Sequence, residues 1–313
     1  MEISPTHNEV FRYVEELNSL KEGDRAVAEL IACGQRAIEP IRQFLLEGKP
    51  SAISQPRQRA VEALVGLEAK DVLIEYLRQK KKITDPEVRL GEGAVESTAA
   101  RHLSKWPSEE TLQVLLGIVQ ERCLPGALEA LGELKRPESI SYLVMALEDD
   151  VCRPAAEEAL RKIGAPARPE LIHAVLTPRG KDMETPSSLR RRGSAAFLLA
   201  EIGISAEEWL QLRHLLDETD PAVLVAVSKM ASKLGRTSDQ VLAAQRLIEV
   251  LEAANWYLRD EIVNILVELF DVAGPLVEES IFRRTALPDE KRGVVDPVLL
   301  ALLRVKHRVE EKH

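Results

Sequence analysis

Short amphipathic segments recur along the chain, and each has apolar residues at the spacing i, i+3, i+4 and i+7. The clearest copy runs from Arg153 to Gly164, and its apolar positions are Ala156, Ala159, Leu160 and Ile163. Because an α-helix has about 3.6 residues per turn, this spacing places the apolar side chains on one face of a helix. A Gly or Pro break follows, and a second amphipathic segment begins after the break. The pattern predicts a series of helical hairpins without strands.

The copies repeat at a variable but limited period. Their central Leu, or the residue that replaces it, lies at positions 30, 64, 103, 131, 160, 199, 231 and 266. The intervals between these positions range from 28 to 39 residues. Helical hairpins of this length cannot bury their apolar face alone, so they stack on their neighbours. The sequence therefore predicts an all-α fold, a right-handed α-solenoid of about eight helical hairpins with terminal capping helices.

The repeats divide the chain into three predicted parts. Residues 1–20 form an N-terminal capping helix, residues 21–285 form the repeat array, and residues 286–313 form a C-terminal capping helix with a charged tail. The two longest intervals contain insertions at 79–93 and 177–188. Since both insertions follow a second helix and precede the next first helix, we expect exposed loops on one edge of the array.

The repeated segments resemble the HEAT repeat family, in particular its short phycobilisome-lyase-like repeats. The resemblance rests on the first-helix motif Arg-x-x-Ala-x-x-Ala-Leu-x-x-(Ile/Leu)-Gly and on second helices such as Pro169 to Leu176. It covers roughly residues 20–285. The family implies a repeat scaffold. Such scaffolds serve adaptors, lyases and base-excision enzymes alike, so the resemblance leaves the function open.

The overall composition narrows the function classes. Aromatic residues make up 4% of the chain, fewer than a β-rich fold uses. The formal net charge of −9 argues against wrapping duplex nucleic acid and against binding an anionic membrane surface. No apolar run approaches the length of a membrane span. Three cysteines are too few for a disulfide framework, so a reducing, cytoplasmic location is expected.

The cysteines are predicted to be three buried, free thiols. Cys123 and Cys152 occupy equivalent positions in adjacent repeats. Stacked helices lie about 8–10 Å apart, which is too far for a disulfide without backbone movement. Cys33 falls at an apolar core position of its repeat.

No catalytic, cofactor or metal motif stands out in the sequence. The di-iron hydroxylases built on HEAT repeats carry paired His-Glu dipeptides, and this chain has none. Phosphate-binding Gly-rich loops, a G-x-S-x-G motif and zinc-ligand spacings are absent as well. We therefore predict no catalytic residue, no cofactor and no metal.

An arginine recurs at the start of the first helices, at positions 57, 153, 192 and 259. We expect a structural role for it, in which the guanidinium pairs with an acidic residue of the preceding turn. Asp149 and Asp150 supply such partners before Arg153.

These features favour a non-catalytic scaffold that binds another macromolecule, in the first place a protein, along a concave face formed by the second helices. The candidate partner-binding residues are Arg42, Phe44, Tyr76, Tyr142, His173, Trp209, Arg213 and His214. Two alternatives stay open, namely a chromophore lyase or isomerase and a DNA-lesion binder or glycosylase. The net charge and the lack of an aromatic cluster beside a basic stripe argue against nucleic acid. The oligomeric state also stays open.

Overall fold

The computed structural model describes residues 7–178, 184–286 and 296–311. Within these ranges all regular secondary structure is helical, with eighteen α-helices, five short 3₁₀ helices and no strand. The prediction of an all-α fold is confirmed. None of the helices in the described ranges is both long and apolar enough to cross a bilayer.

The chain separates into two compact units, Met1–Ile163 and Gly164–His313. The α-helices of the first unit are α1 (His7–Glu16), α2 (Gly23–Ala32), α3 (Ile38–Leu46), α4 (Gln55–Gly66), α5 (Lys70–Arg78), α6 (Pro86–His102), α7 (Glu109–Glu121), α8 (Pro125–Leu134), α9 (Ile140–Ala146) and α10 (Arg153–Ile163). Those of the second unit are α11 (Arg168–Leu176), α12 (Pro186–Ile202), α13 (Ala206–Leu212), α14 (Pro221–Leu234), α15 (Thr237–Val250), α16 (Trp256–Glu268), α17 (Phe270–Thr285) and α18 (Pro297–Glu310).

The residues that mark the repeat in the sequence lie in the cores of the two units. The eight positions are Leu30, Leu64, Leu103, Leu131, Leu160, Leu199, Ala231 and Leu266, and each side chain is 0% exposed. They fall on every second helix from α2 to α16, with Leu103 in the turn directly after α6. The spacing of apolar residues therefore predicts the eight first helices correctly.

Alternate helices pack against one another within each unit. In the first unit α2 contacts α4, α4 contacts α6, α6 contacts α8 and α8 contacts α10. In the second unit α12 contacts α14, α14 contacts α16 and α15 contacts α17. Small residues permit the close approach, since a β-carbon on Gly132 of α8 would lie 2.6 Å from the Cα of Ala159 of α10. At this contact between α8 and α10, a larger residue at position 132 would therefore force the two helices apart.

Three of the recurring arginines bind the end of the preceding second helix. The bonds to backbone carbonyls are Arg57 to Leu45 (2.7 Å), Arg192 to Val175 (2.8 Å) and Arg259 to Leu251 (3.1 Å). The last carbonyls of a helix lack an intrahelical donor, and each guanidinium supplies one. Arg153 instead pairs with Asp150 at 2.7 Å, as its sequence context predicts. The arginines thus have a structural role through both kinds of partner, since Arg57 also pairs with Glu92 at 3.1 Å and Arg192 pairs with Glu184 and Glu218 at 2.6 and 2.5 Å.

The first predicted insertion is shorter than expected, because half of it is helical. Within 79–93, α6 already begins at Pro86, and the Asp85 carboxylate caps it by accepting from the Glu87 and Val88 amides at 2.9 and 3.2 Å. Gly91 and Glu92 are buried. The prediction of an exposed loop is therefore wrong for residues 86–93.

The second predicted insertion also ends in a helix. Within 177–188, α12 begins at Pro186 behind the Thr185 cap, and Ser188 is buried. The exposed-loop prediction is wrong for residues 186–188. Residues 179–183 lie outside the described residues.

The cysteine prediction is wrong for two of the three residues. Cys123 and Cys152 form a disulfide, with their Cα atoms 6.2 Å apart, and Cys123 is exposed. Both residues lie in turns just before α8 and α10, and these turns approach more closely than the axes of ordinary stacked helices. Only Cys33 is a buried free thiol, and burial raises the pKa of its sulfhydryl.

Candidate binding cavity

Two of the predicted partner-binding residues belong to the core, and this part of the prediction is wrong. Tyr76 is 1% exposed and Trp209 is 3% exposed. The Tyr76 hydroxyl donates to Glu92 Oε1 at 2.8 Å, and the Trp209 indole N–H donates to Asp239 Oδ2 at 3.4 Å. Each polar group has its partner inside the protein, so neither side chain offers a contact to another molecule.

The other six predicted residues are half-buried or exposed, and they are divided between the two units. Arg42, Phe44 and Tyr142 lie in the first unit, while His173, Arg213 and His214 lie in the second. Two of them already form ion pairs, Arg42 with Glu75 at 2.5 Å and Arg213 with Asp239 at 2.7 Å. Partner binding by these six residues stays a prediction.

A cavity of about 560 Å³ lies in the first unit between α5, α6 and α7. One wall is the face of α6 that carries Arg89, Glu92 and Glu96, which share a face because they are spaced i, i+3 and i+7. The segment from Leu77 to Ile83 closes one side. The opposite wall consists of α7 residues Gln113, Val114, Gly117, Ile118 and Glu121, followed by Arg122.

Glu92 is the most deeply buried charged group of the cavity, with 2% of its surface exposed. Its Oε1 accepts three hydrogen bonds, from Arg57 Nη2 at 3.1 Å, from the Tyr76 hydroxyl at 2.8 Å and from Lys81 Nζ at 2.9 Å. Its Oε2 is also buried and has no donor among the described residues. One half of this carboxylate is therefore saturated, and the other half is an acceptor without a partner.

The residues that donate to Glu92 also contact one another, because two of the cations lie near the ring of Tyr76. Lys81 Nζ lies 4.8 Å from the centroid of the Tyr76 ring, and the Arg57 guanidinium carbon lies 5.8 Å from it. Burial, and secondarily the negative charge of Glu92, raise the pKa of Tyr76 well above its usual range. The phenol therefore stays protonated and serves as a donor to the carboxylate.

Glu96 lies one helical turn beyond Glu92 on the same wall. Its side chain is 7% exposed, and its Oε2 lies 2.7 Å from Arg122 Nη1. Burial raises the pKa of Glu96, and the pairing with Arg122 opposes this effect only in part. The group is thus a carboxyl whose proton is held more tightly than in water.

The charges that line the cavity are mostly positive, although the chain as a whole is acidic. Five lining residues are cationic, Arg78, Lys80, Lys81, Arg89 and Arg122, and three are acidic, Glu92, Glu96 and Glu121. Arg78 pairs with Glu110 at 3.2 Å and Lys80 pairs with Glu121 at 2.6 Å. Arg89 is exposed and makes one weak hydrogen bond, at 3.5 Å, to the Thr84 carbonyl. It is the cation of this set without a carboxylate partner.

Gly117 keeps the α7 wall open. A β-carbon at this position would meet no atom within 4 Å, although the residue lies in the middle of a helix. A side chain there would therefore extend into the cavity. Gly93, on α6 but outside the cavity lining, is equally unobstructed and provides a matched position for comparison.

The polar side chains of the lining are carboxylates, amides, a lysine pair and arginines. The described lining residues include no Ser, Thr, Cys or His that could act as a nucleophile. Both buried carboxylates already have cationic partners. The described residues offer one group of three ligands that a metal ion could share, Cys123, Asp149 and Cys152, and the two sulfurs of that group are bonded to each other.

Sequence reasoning missed the cavity because it assigned 79–93 to a loop. A local signal for the correct assignment exists, since Asp85-Pro86 is a helix cap followed by Pro at the first helical position. With α6 extended to Pro86, Glu92 and Glu96 would fall on one helical face. The partners of Glu92 on α4 and α5, Arg57 and Tyr76, carry no local signal.

Comparison with known proteins gives no further guide to this site. No protein-family model matches the chain, and no curated protein matches it significantly.

Proposed function

We propose that the protein is a non-catalytic repeat scaffold that binds a protein partner, with the cavity between α5, α6 and α7 as the centre of the contact. The observation that carries this proposal is the cavity of about 560 Å³ itself, whose rim bears Arg89, an exposed guanidinium without a carboxylate partner in the described part of the chain. A cation beside a concave lining of mixed polarity can pair with an acidic group of a protein partner.

The repeat pattern supports the scaffold part of the proposal. We infer a right-handed solenoid of HEAT-like hairpins, in line with the resemblance of the sequence motifs and with the packing of alternate helices inside each unit. Such an array presents its second helices as a continuous surface, and α5 and α7 are second helices that border the cavity. A cytoplasmic location is part of the same proposal, although the Cys123–Cys152 disulfide removes the argument from free thiols on which that expectation rested.

Two observations disfavour the DNA-lesion alternative. Arg191 and Arg192, which belong to a run of three arginines within α12, are 6% and 5% exposed, so they cannot face a phosphate backbone. Trp209 is buried and cannot stack on a base. No specific observation favours the chromophore lyase.

Affinity capture with a blocked cavity tests the proposal. Full-length wild type, Gly117→Leu and Gly93→Leu would be immobilised and exposed to lysate of the source organism, and the bound proteins identified by mass spectrometry. We expect one partner to be retained by wild type and Gly93→Leu and lost from Gly117→Leu. Identical capture by all three proteins would place the contact elsewhere.

A further inference from the structure

We propose that the disulfide-bonded pair Cys123 and Cys152 is a redox-controlled zinc site, in which the reduced cysteines bind Zn²⁺ together with the Asp149 carboxylate. A carboxylate oxygen of Asp149 and the two sulfurs lie within 4.8 Å of one another. None of the three residues lines the cavity between α5, α6 and α7, so the inference does not rest on the proposed function.

The turn before α10 fixes two of the three ligands. Asp149 Oδ1 accepts hydrogen bonds from the backbone amides of Val151 and Cys152, both at 2.9 Å. The Asp149 carbonyl accepts from the amide of Arg153, the first residue of α10, at 2.8 Å. Within the described ranges the side-chain bonds use only one oxygen of the carboxylate. The turn therefore holds this carboxylate beside Cys152 with an oxygen left to bind an ion.

The close packing of α8 on α10 brings the third ligand to the same place. Cys123 lies two residues before α8 and Cys152 directly precedes α10, and their Cα atoms are 6.2 Å apart. Thiolates bind zinc at about 2.3 Å, so in a tetrahedral site the two sulfurs are about 3.8 Å apart. Two cysteine side chains on backbones 6.2 Å apart reach this separation once the bond between them is broken.

The set of donors selects zinc. Thiolates are soft ligands that Mg²⁺ and Ca²⁺ do not take, whereas Zn²⁺ binds both Cys sulfur and Asp oxygen. Both cysteines lie just before helix N-termini, where the positive end of the helix dipole favours the thiolate. Cys123 and Asp149 are exposed while Cys152 is buried, so an ion enters from solvent and water completes the coordination.

Reduction and zinc binding are two separate steps. A dithiol reductant supplies two electrons and two protons, which break the S–S bond and form two thiols, and the reductant is left as a disulfide. Zinc binding then displaces one proton from each thiol. The oxidised pair carries no charge and leaves Asp149 as the one anionic ligand of the three. The reduced protein should therefore bind zinc, and the oxidised protein should not.

Calorimetric titration of the full-length protein with zinc chloride tests the proposal. One sample is oxidised, and the other is reduced with dithiothreitol, which is then removed under nitrogen because it binds zinc itself. We expect the reduced protein to bind one equivalent at least about 100-fold more tightly than the oxidised protein. Titration in two buffers of different ionisation enthalpy should show proton release. Cobalt chloride should give a thiolate-to-metal charge-transfer band with the reduced protein alone.

Variants locate the zinc at the three residues. In the reduced state, Cys123→Ser should bind zinc at least about 100-fold more weakly than wild type. Asp149→Asn, which keeps an oxygen for the two backbone amides, should bind at least about tenfold more weakly. Asp150→Asn and Cys33→Ser should bind as wild type does, because Asp150 pairs with Arg153 at 2.7 Å and Cys33 is a buried thiol of another repeat. Circular dichroism confirms that each protein is folded before titration.

The outcomes decide between a zinc site and a disulfide that only links two turns. Equal binding by the reduced and oxidised proteins would overturn the proposal. Equal binding by Asp149→Asn and wild type would overturn the three-ligand site. Neither result bears on the capture experiment with Gly117→Leu, so the proposed function stands or falls separately.

Discussion

The Tyr76 hydroxyl lies 2.8 Å from Glu92 Oε1, and this hydrogen bond joins the second helix of one hairpin to the first helix of the next. Both residues are almost fully buried. The bond therefore belongs to the interface between repeats, and it fixes the position of Glu92, which lines the cavity.

Replacement of this hydroxyl should destabilise the first unit. Tyr76→Phe removes one of the three donors to Glu92 Oε1, and the loss of a buried hydrogen bond to a charged group costs about 1–3 kcal/mol. Chemical denaturation measures the change in the free energy of unfolding. Tyr142→Phe is the control, because its hydroxyl pairs with Gln120 at an exposed position. An equal effect of both substitutions would show that the Tyr76 hydroxyl adds no particular stability and that only its aromatic ring contributes.

Glu96 should make stability depend on pH in a direction unusual for a carboxyl group. Its pKa in the folded protein is raised above the ordinary value of 4.5. The stability that the neutral carboxyl provides is present below pH 4.5 and is lost as the pH rises through the raised folded pKa. Because Gln cannot ionise, Glu96→Gln should gain stability relative to wild type as the pH rises from 4.5 towards neutrality.

A second variant gives this measurement its control. The hydrogen bond from Lys80 lowers the pKa of Glu121 in the folded protein. The pH dependence therefore has the opposite sign, because the stability that Glu121 contributes is present above the pKa of the unfolded chain. Glu121→Gln should therefore be less stable than wild type by a nearly constant amount above pH 4.5, and the difference should shrink only as the pH falls below that value. Parallel pH profiles for the two variants would contradict the assignment for Glu96.

Two glycines in helices should respond to alanine in opposite directions. Gly117→Ala should stabilise the protein by about 0.5–1 kcal/mol, because a glycine inside a helix is unfavourable and the new methyl group meets no atom. Gly132→Ala should destabilise it, since the methyl group would lie 2.6 Å from the Ala159 backbone. Thermal melting of both variants measures the difference. Stabilisation by both would mean that α8 and α10 are further apart than the structure has them.

The disulfide should be detectable by counting thiols. Denatured, unreduced protein should show one reactive thiol, from Cys33, and reduction should raise the count to three. Cys123→Ser should lower the free energy of unfolding by about 3–4 kcal/mol, the loop-closure value for a link that spans 29 residues. Cys33→Ser serves as the control, because it leaves the disulfide intact. Three reactive thiols before reduction would contradict the disulfide.

Most of the secondary structure follows from local periodicity, and the cavity does not. Apolar spacing within one segment determines which helical face is buried, so positions such as Leu64 and Leu160 are predictable. Glu92 instead takes its partners from Arg57 and Tyr76, which lie 35 and 16 residues away on other helices. Their proximity depends on how the hairpins pack, and a single sequence does not encode that packing in a local pattern.

The arginines that bind the ends of preceding helices have a consequence for folding during synthesis. The last turn of α3 receives its hydrogen bonds from Arg57, and that of α11 receives its bond from Arg192. A nascent chain that ends before these arginines carries a second helix with unpaired terminal carbonyls. For these two hairpins we expect the last hydrogen bonds of the second helix to form only after the first turn of the following helix has left the ribosome.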